Sequence, residues 1–320
     1  MSSSSSKGIL FAFMCLGILG VMPILADSRP AGSDGLSFAI WLTFWQLVAG
    51  TPLFLAEWFA ARRNASEPHR GVDKTSSRWR PDHRTAAIAL LTGAIFGLST
   101  YMYVVAARAT GPVSMVIALQ AYPLFAIILE AVFLGKRKTS AELAFTALLL
   151  GALYYLTTEG TLRIADISWW TAYALCIPLL WAIAHILLRQ ILARAKITPN
   201  QVTVSRLLIS GIFLLGLYAI VGEAGTLLAG LRDPAFQWAA ILLGLAYYLE
   251  LVLWFNAMRF IDVSVASSVT VPTPAVTMLI TVLVLGGRVE LYQILAMCVI
   301  GLALYGLLIA GRRAAAPSTG

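Results

Sequence analysis

Ten apolar stretches separated by short polar links leave this chain few ways to fold. They run approximately from Ile9 to Leu25, Phe38 to Phe59, Ala86 to Ala106, Val113 to Leu134, Ala141 to Leu156, Ser168 to Leu188, Val204 to Gly222, Phe236 to Met258, Ser264 to Leu285 and Leu291 to Ala310. Each holds roughly 16 to 23 residues, near the ~20 that an α-helix needs to cross ~30 Å of hydrocarbon at ~1.5 Å per residue. Strands that cross a bilayer read instead as segments of about ten residues with alternating polarity. The pattern therefore predicts an all-α polytopic membrane protein with ten transmembrane helices. Composition agrees, with 59% hydrophobic residues, 12% charged residues and a mean hydropathy of +0.83, where soluble domains carry about a quarter charged residues. The first block follows "MSSSSSK" as a signal peptide would, but "PILADSRP" offers no A-x-A-like cleavage site and the block reads as a retained helix. Cys15, Cys176 and Cys298 all fall inside blocks, where packing is the simplest reading, and no disulfide framework or metal-ligand spacing is present.

The basic residues give the orientation, because short loops rich in Lys and Arg stay on the cytoplasmic side. With a cytoplasmic N-terminus, 18 of the 23 Lys and Arg residues lie inside, among them Lys7, the "RRNASEPHRGVDKTSSRWRPDHR" segment, "KRK" at 136–138, Arg189, Arg194, Lys196, Arg206, Arg259, Arg312 and Arg313. Only Arg29, Arg108, Arg163, Arg232 and Arg288 fall outside. The expectation is N-in and C-in, multi-pass, in a cell inner (plasma) membrane. The net charge of +8 is then a consequence of topology, and no nucleic-acid partner is needed to account for it. The longest link, Ala61 to Thr85, has no apolar periodicity and suits the anionic inner leaflet.

The two halves echo one another. "RATGPVSMVIALQAYPLFAIILEAVFLG" from Arg108 aligns with "RFIDVSVASSVTVPTPAVTMLITVLVLGG" from Arg259 at an offset of 151, pairing Arg108 with Arg259, Pro123 with Pro274, Leu134 with Leu285 and Gly135 with Gly286. Each half holds five blocks, and an odd number makes the second half enter the membrane inverted relative to the first. The division expected is a first five-helix repeat over 1–160, which includes the basic loop 61–85, a second over 161–311 and a tail over 312–320.

The motifs "YVVAARATGPVSMVIALQAYPLFAIILEAVFLGKRKT" and "LWFNAMRFIDVSVASSVTVPTPAVTMLITVLVLGGRVE", with "LLLGALYYL" and "CVIGLALYGLLI" after them, resemble the EamA family of the drug/metabolite transporter superfamily from Ile9 to Ala310. The shared pattern is an A-x-R turn, a helix carrying Pro, an L-G-E exit and a Gly-containing last helix. This chain departs at L-G-E, with Lys136 and Gly287 where the family has an acid. The resemblance implies ten helices around a central cavity and secondary transport of a small metabolite, often outward.

Within the apolar blocks a few polar residues stand out as candidate substrate or coupling sites. Glu250 lies about 21 Å along its block, too deep for so short a side chain to reach the interface, and an acid at mid-membrane costs about 3 kcal/mol unless it faces water or a partner. Tyr247 and Trp254, at i−3 and i+4, share its face and suit a cationic or aromatic substrate. Glu250 is read either as a counter-ion or as a proton carrier; the competing reading is a buried acid paired for packing. His185 sits on a stripe with Pro178, Trp181 and Arg189 and would relay protons or simply bond a carbonyl. Gln120, Pro123, Ile127 and Glu130 share one face, with Gln120 a polar-ligand candidate and Glu130 neutralising "KRK". Pro123, Pro272 and Pro274 are helix breakers that free carbonyls. Thr270 and Thr273 would bond a substrate or re-satisfy the kinked backbone, and Tyr101, Tyr103 and Tyr122 add polar-tipped rings. "GAIFG" at 93–97 reads as a close-packing step.

Among function classes, the leading expectation is a secondary active transporter of a small molecule such as an amino acid, an amine or a related compound, with protons as a second partner and the lipid bilayer as its surroundings. No cofactor and no metal are expected. Without a Walker A motif, ATP-driven pumping by this chain is unsupported. The small multidrug pumps carry a glutamate in their first helix, whereas "ILFAFMCLGILGVMPIL" has none. An intramembrane enzyme would require a metal or nucleophile constellation, but His69, His83 and His185 are scattered and no H-E-x-x-H occurs. A channel or non-transporting sensor would be favoured by a continuous polar stripe; the polar positions are instead sparse and central.

Overall fold

The computed structural model describes residues 3–66, 83–134, 139–192, 199–258, 260–261 and 269–315. Among these residues there are helices and no strands. In chain order the helices are α1 (Ser3–Asp27), α2 (Gly35–Ser66), α3 (His83–Thr110), α4 (Pro112–Leu119), α5 (Tyr122–Leu134), α6 (Ser140–Thr157), α7 (Trp169–Leu192), α8 (Pro199–Val221), α9 (Thr226–Arg232), α10 (Pro234–Met258), α11 (Thr273–Leu283) and α12 (Leu291–Ala315), with one 3₁₀ turn at Ile164–Asp166.

Among the described residues seven helices are long and apolar enough to cross a membrane, and three shorter apolar helices cover the remaining blocks. Large apolar side chains such as Leu10, Phe13, Ile212, Ile220, Leu279 and Leu302 are exposed, as lipid-facing residues are. Trp169 and Trp170, exposed at the start of α7, sit where aromatic interface anchors belong.

Some boundaries differ from the expected ones. The block Val113 to Leu134 is two helices, because Pro123 lacks an N–H and its ring clashes with the carbonyl four residues back, the position at which α4 ends. The turn falls at Gln120 and Ala121, and the second half turns at Val271 and Pro272, the same 151-residue offset that the aligned prolines carry. The link Ala61 to Thr85 is partly helical: 61–66 continue α2 and 83–85 begin α3. α9 was not expected; it starts after Gly225, whose φ of 87° suits glycine. Gly111, at φ 75°, makes the sharp turn from α3 to α4. Residues 67–82, "KRK" with Lys136, and Arg259 lie outside the described residues, as do the side chains of Ile127, Glu130, Arg189, Arg312 and Arg313.

The packing repeats when the halves are exchanged, taking α1 with α7, α2 with α8, α3 with α10, α4 and α5 with α11, and α6 with α12. The α1–α10 interface has its counterpart in α3–α7, α2–α10 in α3–α8, and α1–α11 in α4 and α5 against α7. The α2–α8, α4–α11 and α6–α12 interfaces map onto themselves. Most of these contacts join one half to the other, so the halves interlock rather than sit side by side.

Small residues allow the close approaches. On α3, Gly93 faces Ile209 of α8, and a Cβ on Gly97 would lie 3.0 Å from the Ser210 carbonyl. The Ser210 hydroxyl donates to the Gly93 carbonyl at 2.7 Å. Thr277 of α11 donates to the Gly20 carbonyl of α1 at 2.7 Å, and Gln293 of α12 donates to the Ser114 hydroxyl of α4 at 2.8 Å. At one end Arg108 donates to the carbonyls of Asp27 and Arg29 at 2.7 and 3.2 Å and pairs with the Asp27 carboxylate at 3.7 Å. Arg29 and Arg108, assigned to the same side from sequence, therefore meet. Burial lowers the proton affinity of Arg29, and Arg108 alongside adds to the effect.

α6 opens with a capping box: the Glu142 N–H donates to the Thr139 hydroxyl at 3.2 Å, and the Thr139 N–H donates to the Glu142 carboxylate at 2.8 Å. Thr139→Ala is expected to destabilise the fold by about 1 kcal/mol, read as a small fall in apparent Tm in detergent. An unchanged Tm would show that α6 is held by packing alone.

Candidate functional site

Glu250 lies two-thirds of the way along α10 and is half-buried. Cys15 of α1, itself buried, aims its thiol at the carboxylate, with Sγ 3.6 Å from Oε1. α1 and α10 pack closely along their length, so this contact belongs to one of the main interfaces between the halves.

One turn back on α10, the Tyr247 ring meets Tyr103 of α3 edge to face at 5.5 Å between centroids. Tyr103 is 2% exposed and stacks against Trp181 of α7 at 6.4 Å. The Trp181 indole N–H donates to the Ser99 hydroxyl of α3 at 3.0 Å. One turn further along α7, His185 lies edge-on to Phe96 at 5.3 Å and to Tyr122 at 5.7 Å. His185 keeps exposed surface beside these rings of α3 and α5.

Arg206 closes the group. It is two turns inside α8, with its guanidinium carbon 4.3 Å above the Phe96 ring centre. Its Nε–H is sealed from solvent and has no hydrogen-bond partner among the described residues. Glu250 and Arg206 act on each other electrostatically, yet no ion-pair contact joins them. Phe96, Ser99 and Tyr103 fall at i, i+3 and i+7 and so share one face of α3, which places the whole set between α1, α3, α5, α7, α8 and α10.

The candidates named from sequence divide by location. Glu250, Tyr247, Trp181, His185 and Tyr122 converge on this centre, and Trp254 is half-buried on the same α10 face as Glu250. Gln120 is the C-cap residue of α4, half-buried beside the Pro123 break. Tyr101 lies away from the centre, near Arg29, Gly35 and Tyr173. Thr273 is buried with its hydroxyl donating to the Thr270 carbonyl at 2.5 Å, which satisfies backbone beside Pro272 and Pro274.

Arg206, Cys15, Phe96 and Ser99 were not among the candidates. From sequence Arg206 reads as a cytoplasmic loop charge, because its apolar block starts at Val204. The helix starts at Pro199, and a proline at the first helical position is a start signal that would have placed Arg206 inside. Cys15 carried no signal beyond its depth.

Comparison with known proteins bears on the fold and the family. A solved crystal structure superposes on 97% of this chain and 99% of its own, with a TM-score of 0.61 at 15% sequence identity, which shows a shared fold. No curated protein matches the chain. The family model described as the EamA-like transporter family matches residues 6–158 and again residues 168–309. With its two halves matched in turn, the chain belongs to the EamA-like transporter family.

Proposed function

We propose that the chain is a secondary active transporter that carries a small metabolite, such as an amino acid, an amine or a related compound, through the space around Glu250. In this reading ten spans form two inverted five-helix repeats, 1–160 and 161–311, with both termini and the tail 312–320 on the cytoplasmic side of an inner (plasma) membrane. Alternating access arises when the two repeats exchange arrangements about the shared centre. The observation that carries the proposal is the enclosure of Glu250 and Arg206, two ionisable groups, by aromatic residues from helices of both halves. Ionisable groups inside a membrane are costly and characteristically mark substrate or proton pathways.

Roles follow from chemistry. Tyr247, Tyr103, Trp181 and Tyr122 supply flat surfaces for an aromatic or cationic substrate, with Trp254 and Gln120 at the margins. Glu250 exchanges a proton or a cationic group, and His185 lies where a second proton would pass. The breaks before Pro123 and Pro274 provide the hinges, with Pro272 and Thr273 shaping the second.

A thermal-shift screen of the detergent-purified protein against amino acids, polyamines, aromatic amines, vitamins, sugars and organic acids at two pH values tests this. A ligand that binds only the folded state raises stability by RT ln(1 + [L]/Kd), so millimolar binders register. Hits with one chemical class that are lost in Tyr103→Ala or Trp181→Ala are expected. Hits unaffected by substitution anywhere around Glu250 would move the site elsewhere.

A further inference from the structure

We infer that Arg206 is the residue that binds an anionic group of the substrate, and that the anion and a proton on Glu250 occupy the site together. The inference rests on the transport site proposed above and specifies its charge chemistry: the ligand is an organic monoanion, a carboxylate on a planar body.

A guanidinium carries five N–H donors and stays charged at all physiological pH values. Buried donors in folded proteins find acceptors, yet the Arg206 Nε–H, closed from solvent, has none among the described residues. The Phe96 ring below it satisfies charge through its π face without accepting that hydrogen bond. Glu250 acts on it electrostatically, yet no ion pair joins the two among the described residues. A carboxylate seated on Arg206 would supply the missing acceptor with bidentate geometry, and the half-buried Trp181 ring, stacked on Tyr103, is the aromatic surface of this group that a flat body would meet.

The coupling sign follows from charge. With Glu250 ionised, the site already holds one negative charge against Arg206, and a second anion is repelled. With Glu250 protonated, the Arg206 charge is unopposed and the anion is favoured. Proton and anion therefore raise one another's affinity, and reciprocity requires the effect to be equal in both directions.

Other titratable groups near Glu250 do not supply this switch. α1 presents Cys15, α3 presents Tyr103, α8 presents Arg206, and α10 itself presents Tyr247. Glu57 of α2 acts on Tyr248, and Arg232 closes α9 at its far end. His185 of α7 is a further ionisable side chain in this group, and Arg206 acts on it electrostatically.

The test is equilibrium binding of 2-naphthoate to the full-length protein in detergent at pH 5.5 and pH 8.5, with 2-naphthamide and 2-naphthylmethylamine as neutral and cationic controls. An aromatic carboxylate is ionised at both values, since carboxyls ordinarily titrate near pH 4. The expected result is naphthoate binding that is on the order of tenfold tighter at pH 5.5. Glu250→Gln should bind naphthoate tightly at both pH values, Arg206→Lys weakly, and Arg206→Met not at all, while His185→Gln keeps the pH dependence. Equal binding of all three probes, or a pH dependence that survives in Glu250→Gln and disappears in His185→Gln, would overturn the inference. Should Arg206→Met fail to fold, undiminished binding by Arg206→Lys would overturn it as well. Binding is read without transport. A chain that binds naphthoate through Arg206 but moves nothing refutes the transport reading alone, and a chain that transports an amine yet ignores naphthoate refutes this inference alone.

Discussion

Glu250→Gln is expected to insert and fold normally while losing pH-driven accumulation of substrate in proteoliposomes by roughly tenfold to a hundredfold, the range of a typical coupling free energy. Substrate exchange in the absence of a pH gradient should persist. The substitution keeps the size of the side chain and leaves an oxygen for the Cys15 thiol, so the local packing of α1 on α10 is preserved. What it removes is the ability to take up and release a proton at mid-membrane. The expected split between driven accumulation and exchange separates a coupling role from a packing role. A merely structural acid would give either no effect or a loss of folded protein, and unchanged accumulation would refute coupling at this residue.

The second large effect concerns the fold. Gly306 of α12 faces the Phe145 ring of α6 so closely that a Cβ at this position would overlap several ring atoms. Gly306→Ala is therefore expected to destabilise the α6–α12 interface by about 1 to 3 kcal/mol, the usual cost of overpacking, despite the better helix propensity of alanine. Phe145→Ala removes every ring atom involved. The double variant should consequently be more stable than the sum of the two single losses, a coupling measurable by thermal unfolding in detergent. Simple additivity would mean that the interface relaxes around the added methyl group. Because α6–α12 joins the final helices of the two halves, the result also measures how firmly the halves are clasped at this edge.

Part of this architecture is written openly in the sequence. The apolar blocks identify where helices lie, because a bilayer demands satisfied backbone over a fixed length. The aligned prolines locate the two helix breaks, since a missing N–H has a local consequence that does not depend on the rest of the fold. Glu250 is conspicuous for the same reason: a carboxylate in hydrocarbon needs an explanation wherever the neighbouring helices lie.

What could not be read depends on which helix faces which. Cys15 and Glu250 are 235 residues apart, and their contact exists only because α1 of one half crosses α10 of the other. Phe96 and Ser99 look like ordinary helix residues until Arg206 and Trp181 are placed against them. Arg206 is hidden because the helix begins at Pro199, about a turn before its apolar block, and a positive charge near the end of such a block reads equally well as a loop residue. Tyr101 and Tyr103 show the opposite problem: two residues apart, they point to different sides of α3, and only Tyr103 joins the centre.

The central claim is that the space around Glu250 opens alternately to both sides of the membrane. His185 is exposed and lies against Phe96, the ring that Arg206 covers, so a single cysteine there reports access to this group. The measurement is labelling of His185→Cys by a membrane-impermeant maleimide, in a background with Cys15, Cys176 and Cys298 replaced by serine, compared between right-side-out and inside-out vesicles. Alternating access predicts labelling from both sides, with a ligand from the screen shifting the balance between them. Labelling from one side alone, unchanged by every ligand, would contradict the account.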